Sequence, residues 1–206
     1  MKIVLQDISK RYIKSVIFKN LSFTIESGDR VVIKGSNGSG KSTLLKLIAG
    51  IETPTKGKIT YYINNQEVYS ENLFHYISVC TPYMELFEEL TLQQMIDFHF
   101  KMKNPLPTVS TSEIPQLILL ENELNKEISE FSSGMKQRLK LGLAILSNAP
   151  LLLLDEPSMN LDSNGVEWYK NIIRNYASEK TIVVCSNQIK DEYDFCNKEI
   201  HIEDFK

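Results

Sequence analysis

The sequence predicts an α/β fold with a mostly parallel core sheet, and three observations predict it. The β-branched run Arg30-Val31-Val32-Ile33 passes through a glycine-rich turn into Leu44, Leu45, Leu47, Ile48 and Ala49, the order strand, loop, helix. Four consecutive leucines, residues 151–154, bounded by Pro150 and ending in Asp155-Glu156, read as a strand buried on both faces. Around these runs the pattern changes twice: alternating residues at the start imply an antiparallel subdomain, and helical spacing after Leu90 implies a helical insertion.

Taken in order, Ile3, Leu5 and Ile8 lead to Arg11-Tyr12, and Leu21, Phe23 and Ile25 form a second strand of one antiparallel sheet. Glu26-Ser27-Gly28-Asp29 turns the chain into the strand before the glycine loop. Ala49-Gly50 stops the next helix and Thr53-Pro54-Thr55-Lys56-Gly57 is a turn. Residues 58–63 return as strand, Asn64-Asn65-Gln66 turns again, and residues 76–80 form another strand. From Leu90 to Lys126, Leu92, Met95, Ile96, Phe98 and His99, then Ile114, Leu117, Ile118 and Leu120, suit helices split by Asn104-Pro105-Leu106-Pro107. A further helix carries Leu139, Leu141, Leu143, Ala144, Ile145 and Leu146 and ends at Asn148-Ala149-Pro150. Another helix lies around residues 166–170, residues 181–185 are the last clear strand, and residues 199–203 read as a short edge strand. The expected organisation is one domain over residues 1–206 with a helical subdomain at about 90–145.

At 206 residues, 42% hydrophobic, 24% charged and with a net charge of -3, the chain has the composition of a soluble globular protein, and its charge gives no reason to expect nucleic acid as a partner. No apolar run approaches the ~20 residues that span a bilayer, and Met1-Lys2-Ile3-Val4-Leu5-Gln6-Asp7 turns polar too soon for a secretory signal, so a cytosolic location is expected. Cys80, Cys185 and Cys196 lack metal-ligand spacing and read as small buried thiols; His75, His99 and His201 are scattered and carry no site.

The chemistry centres on Gly35-Ser36-Asn37-Gly38-Ser39-Gly40-Lys41-Ser42-Thr43, a phosphate loop. Its glycines let backbone N–H groups approach phosphate oxygens, and the helix that begins there favours the same anion. Lys41 would reach along the β- and γ-phosphates, and the Ser42 hydroxyl would be a magnesium ligand. Asp155 and Glu156 fall at the carboxyl end of a strand, where an open parallel sheet binds ligands. Asp155 would hold magnesium opposite Ser42, and Glu156 would stand where a water attacking the γ-phosphate loses its proton. Phe131-Ser132-Ser133-Gly134-Met135 puts small residues before a helix, either a plain serine cap or a second anion site. Tyr12 could stack on a base, although an aromatic near a turn alone is more often packing.

In this order, the phosphate loop, the serine-glycine helix start before Gln137-Arg138, the Asp155-Glu156 strand and the loop ending in Leu161-Asp162 resemble the nucleotide-binding subunit of ATP-binding-cassette (ABC) transporters. The resemblance covers essentially the whole chain. It implies a head-to-tail dimer holding two ATP molecules with Mg²⁺, each between the phosphate loop of one subunit and Ser132, Ser133 and Gly134 of the other. It also implies that Tyr12 stacks on adenine, that Asp162 belongs to the loop crossing between subunits, and that the helical insertion meets membrane-spanning partners.

Three departures from the family pattern stand out. Pro82 occupies the place of the family's glutamine, and Asn187 that of the histidine that contacts the γ-phosphate. The signature lacks its usual leucine, first glycine and glutamine. Asparagine can donate to a phosphate oxygen but carries no charge, and proline offers neither donor amide nor metal ligand. With Lys41, Asp155, Glu156 and Asn187 as the reacting set, hydrolysis is expected to be slow rather than absent. The function that follows is an ATPase subunit energising a transporter from the cytoplasmic membrane face, through separate permease subunits. The alternatives are a soluble ATP-driven clamp or assembly factor and a weakly hydrolysing regulatory cassette.

Overall fold

Apolar and polar residues alternate along Lys2–Tyr12 (β1) and Ser15–Ile25 (β2), and the two pair antiparallel with Ile3 opposite Ile25, Leu5 opposite Phe23 and Ile8 opposite Leu21. Ile3 and Leu5, two apart, are buried together as the period of two dictates, and an irregularity at Asp7, with a left-handed φ of 48°, resets the register so that Ile8 is buried too, as are Leu21 and Ile25. The computed structural model describes residues 1–13 and 15–206, which form two compact units. The first comprises residues 1–79, 150–156 and 179–206; the second comprises 80–149 and 157–178.

In the first unit, β3 (Arg30–Lys34) leads into α1 (Lys41–Ile48), and β4 (Lys56–Ile63) and β5 (Gln66–Val68) form a hairpin. Its two turn residues, Asn64 and Asn65, have φ of 50° and 63°, the left-handed values that a two-residue hairpin turn requires. β4 adds to the free edge of β1, giving the antiparallel order β2-β1-β4-β5. It begins at Lys56, so the turn expected at residues 53–57 closes two residues early, and Gly57 lies within β4 at the irregularity between the Gln6–Lys58 and Ser9–Lys56 pairs.

The second sheet, also in the first unit, contains β6 (Ile77–Cys80), β7 (Leu151–Asp155), β8 (Thr181–Ser186) and β9 (Lys198–His201), in the order β6-β7-β8-β3-β9. β7 with β8, β8 with β3, and β3 with β9 are parallel, and β9 is the edge strand the sequence predicts. Residues 151–154 are fully buried, as are residues 182–185 of β8. Each such side chain contributes roughly 1.5–3 kcal/mol relative to exposure, which explains the uninterrupted leucine run. Helix α1 packs on β7 and β8, and Leu44, Leu45, Leu47 and Ile48 join Ile3, Phe18, Ile33, Leu153 and Val183 in one core.

The second unit is helical: α2 (Leu92–Met102), α3 (Ile114–Leu117), α4 (Ser133–Leu146) and α5 (Ser163–Tyr176). Thr91 and Gln94 close a reciprocal capping box at the start of α2, the Gln94 amide donating to Thr91 Oγ1 and the Thr91 amide to Gln94 Oε1. The helix expected across residues 114–120 is a single turn. Leu119 takes a left-handed φ of 57°, which ends the helix even though the apolar spacing continues. Among the described residues, no helix is long and apolar enough to cross a membrane.

Candidate nucleotide-binding site

The loop between β3 and α1 depends on glycine at both ends. Gly40, the N-cap of α1, has φ 111°, and a Cβ there would lie 2.5 Å from Ile17 Cγ2. A Cβ on Gly35 would meet Ser39 Oγ at 2.5 Å and Ile202 Cγ2 at 2.6 Å. Between them the Ser39 amide donates to the Ser36 carbonyl at 3.1 Å, leaving Asn37 and Gly38 exposed at the tip. Thr43 follows in the first turn of α1, half-buried.

Lys41 is buried, and its ammonium donates to Gly35 O at 2.9 Å, Ser36 O at 3.0 Å and Asn187 Oδ1 at 2.5 Å. Asn187 Nδ2 donates in turn to Glu156 Oε1 at 2.5 Å. The amide can be oriented only one way here, because an ammonium needs an acceptor and a carboxylate needs a donor. Lys41, Asn187 and Glu156 therefore form one connected chain at the ends of three separate elements. Glu156 has φ 47° and Gln188 φ 68°, left-handed values that cost a non-glycine residue on the order of 1 kcal/mol or more each. The Glu156 amide is held by Cys185 O at 2.9 Å, so strand β7 delivers the carboxylate through a sharp turn.

Asp155 ends β7 at 3% exposure, and among the described residues its Oδ1 is buried without a hydrogen-bond partner. Burial pushes its carboxyl above the ordinary value; the Ser42 hydroxyl beside it is the largest opposing influence. A buried unpaired carboxylate oxygen next to a hydroxyl is an incomplete set of hard oxygen donors, which fits Mg²⁺ shared with a phosphate chain. Burial disfavours the thiolate at two cysteines: Cys185 is fully buried, which raises its pKa well above the usual value, and Cys196 is pushed up to about 12.

Tyr12 is 43% exposed at the end of β1. Its hydroxyl donates to Glu52 Oε2, and Lys10 Nζ lies 4.9 Å from its ring centroid. The bond to Glu52 raises the phenol pKa, with the Thr43 hydroxyl working against it.

In the second unit, Ser132 caps α4 by accepting from the Met135 amide at 3.3 Å, and Ser132 and Ser133 are exposed. Gly134 lets the loop after Pro157 approach: a Cβ there would lie 3.1 Å from Asn160 O. Asp162 caps α5, its Oδ1 accepting from the Gly165 amide at 2.7 Å. The Pro82 carbonyl accepts from Lys140 Nζ at 3.2 Å.

Sequence reasoning gave no role to three residues with contacts in these regions. Buried Gln137 donates to Pro157 O at 2.9 Å, Glu52 holds Tyr12, and Glu203 holds Ser36. Gln137 was detectable as a polar residue on the apolar side of α4; the two glutamates carry no pattern.

A phosphate loop between a parallel strand and a helix, with an acidic pair at the end of the strand two places along the same sheet, defines a P-loop α/β nucleotide-binding fold. The chain belongs to the ABC transporter family, whose model matches residues 18–159. It is 35% identical over 179 residues to the cytochrome c biogenesis ATP-binding export protein CcmA of Reclinomonas americana, covering 83% of this chain and 78% of that one. It is 31% identical over 199 residues to the mouse ABC-type organic anion transporter ABCA8B, covering 92% of this chain but spanning only 12% of the mouse protein's length. Among solved structures, the dimeric ATP-binding cassette MJ0796 in a post-hydrolysis state with ADP and Pi superposes with a TM-score of 0.81. The identity to it is 26%, with 97% of this chain and 93% of that one covered. The α/β fold with its antiparallel subdomain and helical insertion is thus the one expected from the sequence.

Proposed function

We propose that this chain binds and hydrolyses ATP to energise a membrane transporter whose spanning subunits are separate chains. It works from the cytoplasmic face as a head-to-tail dimer with itself or a related cassette. The observation that carries the reading is the chain of contacts from Lys41 through Asn187 to Glu156. An ammonium has three donors. Two are held by Gly35 O and Ser36 O, and the third, on Asn187 Oδ1, is the one a γ-phosphate oxygen would take.

Asn187 would then remain on Glu156 Oε1 through Nδ2, fixing the carboxylate while its second oxygen receives a proton from water. The water oxygen bonds to the γ-phosphorus as the bond to the bridging oxygen breaks. The Ser42 hydroxyl and Asp155 would hold Mg²⁺, which supplies charge neutralisation at the phosphates. Residues 38–43 would present N–H groups to the phosphate chain, with Gly35, Ser36 and Asn37 shaping its approach, and Tyr12 would stack on adenine. Ser132, Ser133 and Gly134 of a second subunit would close over the γ-phosphate, with Asp162 in the crossing loop.

Turnover should be slow. An amide at Asn187 and a proline at residue 82 each remove a polar contact, and one lost contact to transition-state charge typically costs on the order of 10²-fold in rate. Turnover by the chain purified together with its membrane partner tests the reading. It should be abolished in Lys41→Ala and increased in Asn187→His. Undiminished activity in Lys41→Ala contradicts ATP hydrolysis at this site; no gain in Asn187→His contradicts the explanation for slowness.

A further inference from the structure

The first peptide of the phosphate loop is gripped from both sides. On one side Lys41 Nζ sits on the carbonyls of Gly35 and Ser36. On the other, Glu203 Oε1 accepts from the Ser36 amide at 3.0 Å and from Ser36 Oγ at 2.6 Å, across 167 positions of sequence. The grip is built into the fold. Ile202 is fully buried, with its side chain against the space a Cβ on Gly35 would need, and residues 202–205 pack on β2. The Ser36 donors hold the Glu203 carboxyl below its usual range.

We infer that Glu203 is a positioning residue for the nucleotide: by anchoring the Ser36 peptide it aims the carbonyls that orient Lys41 toward the phosphates. The inference rests on the ATP-binding reading above. A carboxylate near a phosphate site should repel the ligand, so its retention on the loop calls for a compensating role, and orientation of the lysine is the one its contacts supply.

Calorimetric titration of the full chain with ADP and with a non-hydrolysable ATP analogue tests it. Glu203→Ala should weaken ATP-analogue binding roughly five-fold, the scale of one charge-assisted contact acting indirectly. Glu203→Gln keeps an acceptor for Ser36 and should bind within about two-fold of wild type. In a Lys41→Ala background, Glu203→Ala should cost nothing further, because it acts through Lys41. An additional penalty in that background, or equal weakening by Ala and Gln, overturns the inference. Tighter binding by both variants does so too, since it would make Glu203 only a repelling charge. If the wild-type chain binds no nucleotide, the ATP-binding reading itself fails; wild-type binding with an unchanged Glu203→Ala sinks this inference alone.

Discussion

Asp155 illustrates what burying an unpartnered carboxylate oxygen costs the free protein. Between the ordinary carboxylate value and its raised one, the folded chain binds more protons than the unfolded chain, so stability falls as pH rises through that window and stays lower at neutral pH. Asp155→Asn should therefore melt a few degrees higher than wild type at pH 7 without nucleotide, while losing the magnesium-dependent part of ATP binding. Differential scanning fluorimetry with and without Mg-ATP reads both effects. His99 has the opposite sign. Burial, helped by Lys103, lowers its pKa to about 4, and its Nε2 meets Ser147 Oγ at 2.9 Å. Stability is present above the ordinary value of 6.5 and is lost as pH falls from there toward 4. His99 alone should remove about 2 kcal/mol at pH 5. Urea midpoints at pH 7 and pH 5 should converge in His99→Gln. At this scale, Lys41, Asp155 and Glu156 were legible because motif spacing fixes them. Glu203 was not, because its partner lies 167 positions away and one glutamate in a polar stretch has no periodicity.

Among the elements, α4 shows packing overriding helix propensity. Gly142 is buried in its middle, and a Cβ there would lie 2.2 Å from Ile118 Cγ2. Gly142→Ala gains about 1 kcal/mol of propensity but overpacks a rigid β-branched side chain, so a net loss of about 1–2 kcal/mol is expected. Ile118→Ala alone should cost about 2–5 kcal/mol through its cavity. The double variant should be more stable than the sum of the two, which a denaturation cycle measures. The same contact explains a misreading of the sequence. Apolar spacing over residues 114–120 suggests a helix, yet these side chains serve as a packing surface after a single turn, with Leu119 in a left-handed conformation. The strand interiors at residues 151–154 and 182–185 were legible because burial on both faces favours an uninterrupted apolar run.

Over the whole molecule, the residues proposed above to meet phosphate fall into two units. The loop at residues 35–43, Asp155, Glu156 and Asn187 lie in the first; Ser132, Ser133, Gly134 and Asp162 lie in the second. In the proposed dimer, a second subunit would give the second group its ligand. The most direct measurement is the mass of Glu156→Gln by light scattering with Mg-ATP. Removing the base while keeping the binding contacts should trap a dimer that dissociates when ATP is replaced by ADP. A variant that binds ATP, has lost turnover and still remains a monomer would contradict the composite site and leave Glu156 a structural role only.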